Sequence, residues 1–192
     1  MVRPIPTGKT AIEELLQIAE SAMHKADHRN EKYRKHREAW VLGKFAGLYN
    51  TWRGAPLPLI FAEPGDSMQI PADFAVYGRD AEYISDVEVT ELPDDWDWWR
   101  PGVAIPEVKD PWAPLPDLLQ KKHGKAARYR HPTWLLVYDN ASSGVYQELN
   151  GVMFGASDAA RLHANNINLV NSSIVAIWLL SSDGRRAEMV TQ

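Results

Sequence analysis

The chain has 192 residues, 45% of them hydrophobic and 24% charged, with a net charge of -4 and no cysteine. That balance suits one globular domain with a sizeable core, and it excludes disulfides, thiolate nucleophiles and cysteine zinc sites. The negative charge argues against coating nucleic acid through bulk charge but is compatible with a local basic groove. No stretch approaches the roughly 20 apolar residues of a membrane span, and MVRPIPTGKT does not resemble a signal peptide. A cytoplasmic protein without a membrane partner is expected.

The opening segment ends in PTGKT, which looks like the tail of a phosphate-binding loop. Arg3 stands where the fuller motif needs a glycine, and no strand precedes it, so that reading is rejected. Thr10 followed by Glu13 reads instead as a capping box opening a helix through about His28. Ile12, Leu15, Leu16, Ala19 and Ala22 or Met23 form its apolar stripe. His24, Asp27 and His28 share a face there, but nothing in the sequence completes a metal set around them, and they read as surface residues.

A second helix is expected from Glu31 to about Trp52. Its first half, EKYRKHRE, is charged, and its second half is apolar, with Tyr33, Trp40, Val41, Phe45, Leu48 and Trp52 at helical spacing. The Lys32 to Arg37 cluster reads as a solvated face that could also contact phosphates, and Glu38 falls at the edge of the packed face.

PLPLIFAEPGD gives a first strand over about Leu57 to Ala62. The stretch from Pro71 to Leu92, PADFAVYGRDAEYISDVEVTEL, gives two more, joined by a Gly-Arg-Asp turn. Asp73 opens the first of these. On the second, Asp86, Glu88 and Thr90 share one face and Val87 and Val89 take the other. The simple reading is an antiparallel hairpin with one wet face. The sharper one is a carboxylate site, because a buried carboxylate needs a partner or a metal.

From Pro93 to Pro116 the chain reads as a long ordered loop. Its Trp96, Trp98, Trp99 and Trp112 either clamp it to the domain or offer stacking surfaces to bases. A third helix is expected from Leu115 to Tyr129, with Leu115, Leu118, Leu119, Lys122, Ala126 and Tyr129 on one face. Lys122 sits within that apolar stripe, flanked by Lys121 and Lys125. Either it snorkels outward or it needs a carboxylate or an anionic ligand. Thr133 to Asn140 reads as a buried strand, Ser157 to Ile167 as a capped helix with Asp158 near its start, and Ser173 to Leu180 as a last buried strand. SSDGRRAEMV closes with a turn and a short edge strand.

Glu38, Asp73 and Glu88 thus arise on three adjacent elements, with Lys122 on the next helix. Carboxylates converging in this way form an oxygen site for Mg²⁺ or Mn²⁺, which polarises a phosphodiester and lowers the pKa of an attacking water. A nearby lysine orients that water or stabilises charge developing on the phosphate.

The arrangement resembles the PD-(D/E)XK nuclease superfamily, the restriction-endonuclease-like fold, over roughly residues 31 to 140. Pro71 to Phe74 (Pro-Ala-Asp-Phe) matches the family's Asp element with one residue inserted. Val87 to Glu91 (Val-Glu-Val-Thr-Glu) matches its Glu-x-Lys strand, with Thr90 in place of the lysine. The resemblance implies an α/β fold with an αβββαβ core and a mixed central sheet. Residues 1-30 become an N-terminal helical extension and residues 31-192 a single domain ending in an αβ extension. It further implies Mg²⁺ or Mn²⁺ held by Asp73, Glu88, Glu38 and the carbonyl of Val89. Asp86 is ligand or bystander. Lys122, with Lys125 second, is the candidate for the missing lysine, which in some members comes from the following helix. The implied activity is phosphodiester hydrolysis on nucleic acid, with DNA ranked ahead of RNA, in a homodimer or with a partner subunit. The alternative is a catalytically inactive binding module, its carboxylates facing water or paired with Arg79, Arg128 or Arg130. A glycoside-acting enzyme is a third, less supported reading.

Overall fold

A computed structural model of the chain describes residues 3–23, 33–65, 72–92, 115–139, 172–181 and 184–191. His24, Asp27, His28, the Trp-rich loop and the helix expected from Ser157 lie outside the described residues.

The described residues form an α/β fold with one seven-stranded mixed sheet and three α-helices. In chain order these are β1 Thr10–Ala11, α1 Ile12–Met23, α2 Arg34–Thr51, β2 Phe61–Pro64, β3 Phe74–Tyr77, β4 Tyr83–Leu92, α3 Leu115–Lys125, β5 Thr133–Asp139, β6 Ile174–Leu180 and β7 Ala187–Thr191. The sheet order is β1-β2-β3-β4-β5-β6-β7. The first four strands pair antiparallel, β4, β5 and β6 run parallel, and β7 returns antiparallel. None of the described helices is long and apolar enough to cross a membrane.

One face of the sheet is covered by α1 and α2. Ile12, Leu15 and Ala19 of α1 join Val41, Leu42, Phe45 and Tyr49 of α2 in a single cluster with Phe74, Val87, Val89 and Leu136 from the strands. The two helices approach closely at Gly43, where a Cβ would lie 2.7 Å from the Leu16 Cβ, so the contact requires glycine. Phe45 packs on Trp178 with ring centroids 5.1 Å apart. Asn50 then pins the entry to β2, accepting from the Leu59 N–H and donating to its carbonyl. On the opposite face Leu135, Val137, Ile177 and Leu179 are buried, as is Leu119 of α3, the crossover between parallel β4 and β5.

Several boundaries differ from the sequence expectation. Thr10 does not cap α1. It belongs to β1, paired with Ala62, and its hydroxyl donates to the Gly8 carbonyl at 2.9 Å. Edge pairing, invisible to a local reading, takes the residue the capping box would need. The first expected strand shifts to Phe61–Pro64, and the third helix ends at Lys125, followed by a 3-10 turn over Ala126–Arg128. The charged half of α2 is not simply a solvated face, because His36, Arg37 and Glu38 are buried. Trp52, expected on the packed stripe, is 44% exposed, and Tyr49 packs in the core.

Candidate metal centre

The hairpin has unequal arms. β3 pairs with β4 from Tyr77↔Tyr83 to Phe74↔Val87, whereas β5 pairs with β4 from Asp86 to Leu92. Among the described residues β4 therefore lacks a strand neighbour on its β3 edge beyond Val87. An unpaired backbone donor near a core needs another acceptor. Asp73, the residue just before β3, supplies it: its Oδ2 accepts the Val89 N–H at 2.9 Å. In an extended strand a residue's N–H and C=O leave by the same edge, so the Val89 carbonyl faces this notch as well.

A pocket of about 320 Å³ opens there. Glu38 from α2, Asp73, Glu88 and Thr90 from the hairpin, and Lys122 and Lys125 from α3 all line it, as does Val89. The sequence-derived residues are thus brought to one place from three layers of the fold. Asp86 is not. It lies 1% exposed beside Tyr83 and His131, with Oδ2 unpartnered, and it does not line the pocket. Nor is the Asp86–Glu88–Thr90 face wet. Thr90 is 8% exposed and the Glu88 side chain 13%.

Each pocket carboxylate faces a cation. Lys122 Nζ lies 2.5 Å from Glu88 Oε1, so the lysine in the apolar stripe turns inward onto a carboxylate. Glu38 receives Arg34 Nε at 3.0 Å on Oε1 and Lys35 Nζ at 2.8 Å on Oε2. The same Lys35 ammonium reaches Asp73 Oδ1 at 3.3 Å. These cations, rather than Arg79, Arg128 or Arg130, meet the pocket carboxylates.

Burial pushes the Glu38 and Glu88 carboxyls above the usual range, the negative charge of Asp73 adds to both, and the facing cations only partly offset it. Burial pulls the Lys35 ammonium down, but Glu38 and Asp73 outweigh it and the net shift is upward. The Tyr129 phenol is pushed up by burial and then by the charges of Glu88 and Asp73. Neither Lys35 nor Tyr129 is a site candidate on sequence alone. The inward face of the third helix already carried Tyr129, whereas Lys35 had no signal beyond its charge.

The donor set, three carboxylates and a backbone carbonyl, suits a hard divalent cation that prefers oxygen. Among the described residues no three of the His, Asp and Glu side chains stand close enough together to share an ion; Lys35 lies between Glu38 and Asp73, and Lys122 against Glu88. The donors fit such an ion in kind, with lysines in place of its charge. Comparison of the chain with protein-family models, with curated proteins and with solved structures returns no match.

Proposed function

We propose that this chain is a divalent-cation-dependent hydrolase of nucleic-acid phosphodiesters, built on a restriction-endonuclease-like core. One observation carries the reading: Glu38, Asp73, Glu88 and Lys122, distant in sequence, line one pocket at the open edge of β4. The element order α2-β2-β3-β4-α3-β5, with an antiparallel meander followed by a parallel crossover, supports the core assignment.

Asp73, Glu88, Glu38 and the Val89 carbonyl are the groups that would hold Mg²⁺ or Mn²⁺. When bound, such an ion supplies Lewis-acid polarisation of the phosphate and a bound water of lowered pKa. The Lys122 ammonium, fixed from α3 against Glu88, is placed to orient the attacking water and to offset charge on the phosphate. It does so two residues from Thr90, where the family pattern carries its lysine. Arg34 and Lys125 line the same pocket and give a phosphate two further positive contacts.

A second reading is a nuclease fold that binds without cutting. Thr90 in place of lysine favours it, as does the pairing of Glu38 with both Arg34 and Lys35. The test is calorimetry with Mn²⁺ and Mg²⁺ on the wild type and Glu88→Ala, with a nuclease assay on DNA and RNA from the same preparations. Binding lost in the variant, together with cation-dependent cleavage, is the expected result. Binding without cleavage selects the second reading. No binding to the wild type in the presence of nucleic acid would overturn the cation site.

A further inference from the structure

Two lysines meet the pocket carboxylates, Lys122 from within the pocket lining and Lys35 from outside it, and they are held differently. The Lys122 side chain is 12% exposed and meets one carboxylate, whereas Lys35 is 44% exposed and bridges two. The oxygens on either side of Lys35 are themselves prearranged. Glu38 turns Oε1 to Arg34, leaving Oε2 for Lys35, and Asp73 commits Oδ2 to the Val89 N–H, leaving Oδ1. The result is a pair of carboxylate oxygens fixed from behind with an ammonium between them.

We infer that Lys35 is a built-in competitor for the cation position, and that a divalent ion enters by displacing its ammonium from Glu38 and Asp73. The inference rests on the cation-site reading above and adds a determinant of affinity and selectivity to it. One ammonium and one small cation are alternative counter-charges for the same two carboxylates, and a monovalent ion gains less from the exchange than a divalent one. Lys35 is the lysine that yields because its half-exposed stem can swing to water from the first turn of α2. Lys122, enclosed against Glu88, stays.

The prediction separates this from an ordinary helix ion pair, for which removing Lys35 would leave cation binding unchanged. Lys35→Met removes the competing charge and keeps the stem, and Lys35→Arg keeps a charge. In calorimetry with MnCl₂ at pH 7.5 and low salt, Lys35→Met should bind roughly three- to tenfold more tightly than the wild type, the range set by losing two part-exposed ion pairs. Lys35→Arg should bind within about twofold of the wild type. In the wild type, acylation of Lys35 by an amine-reactive ester, read by mass spectrometry, should rise when Mn²⁺ is saturating. Equal affinities for wild type and Lys35→Met, with unchanged acylation, overturn the inference and leave the cation site standing. Weaker binding by Lys35→Met also overturns it, since Lys35 would then assist the ion. If neither protein binds Mn²⁺, the cation site fails and the inference fails with it.

Discussion

The Asp73 carboxylate accepts the Val89 N–H across the gap where β3 stops and β4 continues. One oxygen thus replaces a missing strand partner and the other faces Lys35. The same side chain closes the sheet edge and contributes charge to the site. Those two roles separate under substitution.

Asp73→Ala should cost about 1–2 kcal/mol in urea unfolding, because it orphans the Val89 donor at a largely buried edge. Asp73→Asn keeps an acceptor oxygen there and should stay within about 0.5 kcal/mol of the wild type. Both variants should lose Mn²⁺ binding by tenfold or more. Equal stabilities for the two would show that the backbone contact contributes little.

At Glu88 the pairing is more enclosed. Lys122→Met leaves a carboxylate in a low-dielectric pocket beside Asp73, and should destabilise the fold by about 2–4 kcal/mol at pH 8. Adding Glu88→Gln should return much of that loss, since neither half of the pair is then charged. Additive losses in the double variant would count against a direct coupling.

The hairpin was legible because strand alternation is local. Asp86, Glu88 and Thr90 had to share a face, and Val87 and Val89 the other. Lys122 stood out because helical spacing put a charge inside an apolar stripe, and the structure turns it inward onto Glu88. Other features depend on how distant elements dock. Lys35 looks like one more cation on a charged helix until α2 brings it to Asp73, 38 residues away. Thr10 reads as a cap until Ala62 pairs with it. Asp86 and Glu88 share a face, yet the short β3 and the entry to β5 give them different neighbours, Tyr83 and His131 for one and Lys122 for the other.

Asp86 should contribute to the pH dependence of stability. Burial pushes its carboxyl above the usual range, so the unfolded chain releases that proton at lower pH than the folded chain does. Below the ordinary carboxylate range both states hold the proton and the contribution is fully present. It is lost as pH rises through the folded value. Glu38 and Glu88 are shifted in the same direction and act with the same sign. Unfolding free energy measured by urea at successive pH values should therefore carry a component that declines from the ordinary carboxylate range upward. Asp86→Asn should flatten that decline and leave Mn²⁺ binding intact, because Asp86 lies outside the pocket. An unchanged slope in Asp86→Asn would mean that the buried carboxyl is solvated in solution.

Thr90 offers the most direct test of how the lysine is supplied. It lines the same pocket as Lys122, two residues beyond Glu88 on the same face of β4, about 7 Å along the strand. A lysine at either position can therefore reach the Glu88 carboxylate. If Lys122 performs the charge-stabilising step, Lys122→Met should reduce cleavage at least 100-fold, a loss of about 2.7 kcal/mol in barrier terms, with Mn²⁺ affinity no weaker than that of the wild type. Thr90→Lys alone should add a second ammonium beside Glu88 and weaken Mn²⁺ binding. Combined with Lys122→Met, it should restore at least tenfold of the lost rate and part of the lost stability, because Glu88 regains a partner. Rescue of stability without rescue of cleavage would make Lys122 a structural counter-ion. Rescue of neither, with the fold intact by circular dichroism, would place the lysine's role in its approach from α3 rather than in its charge.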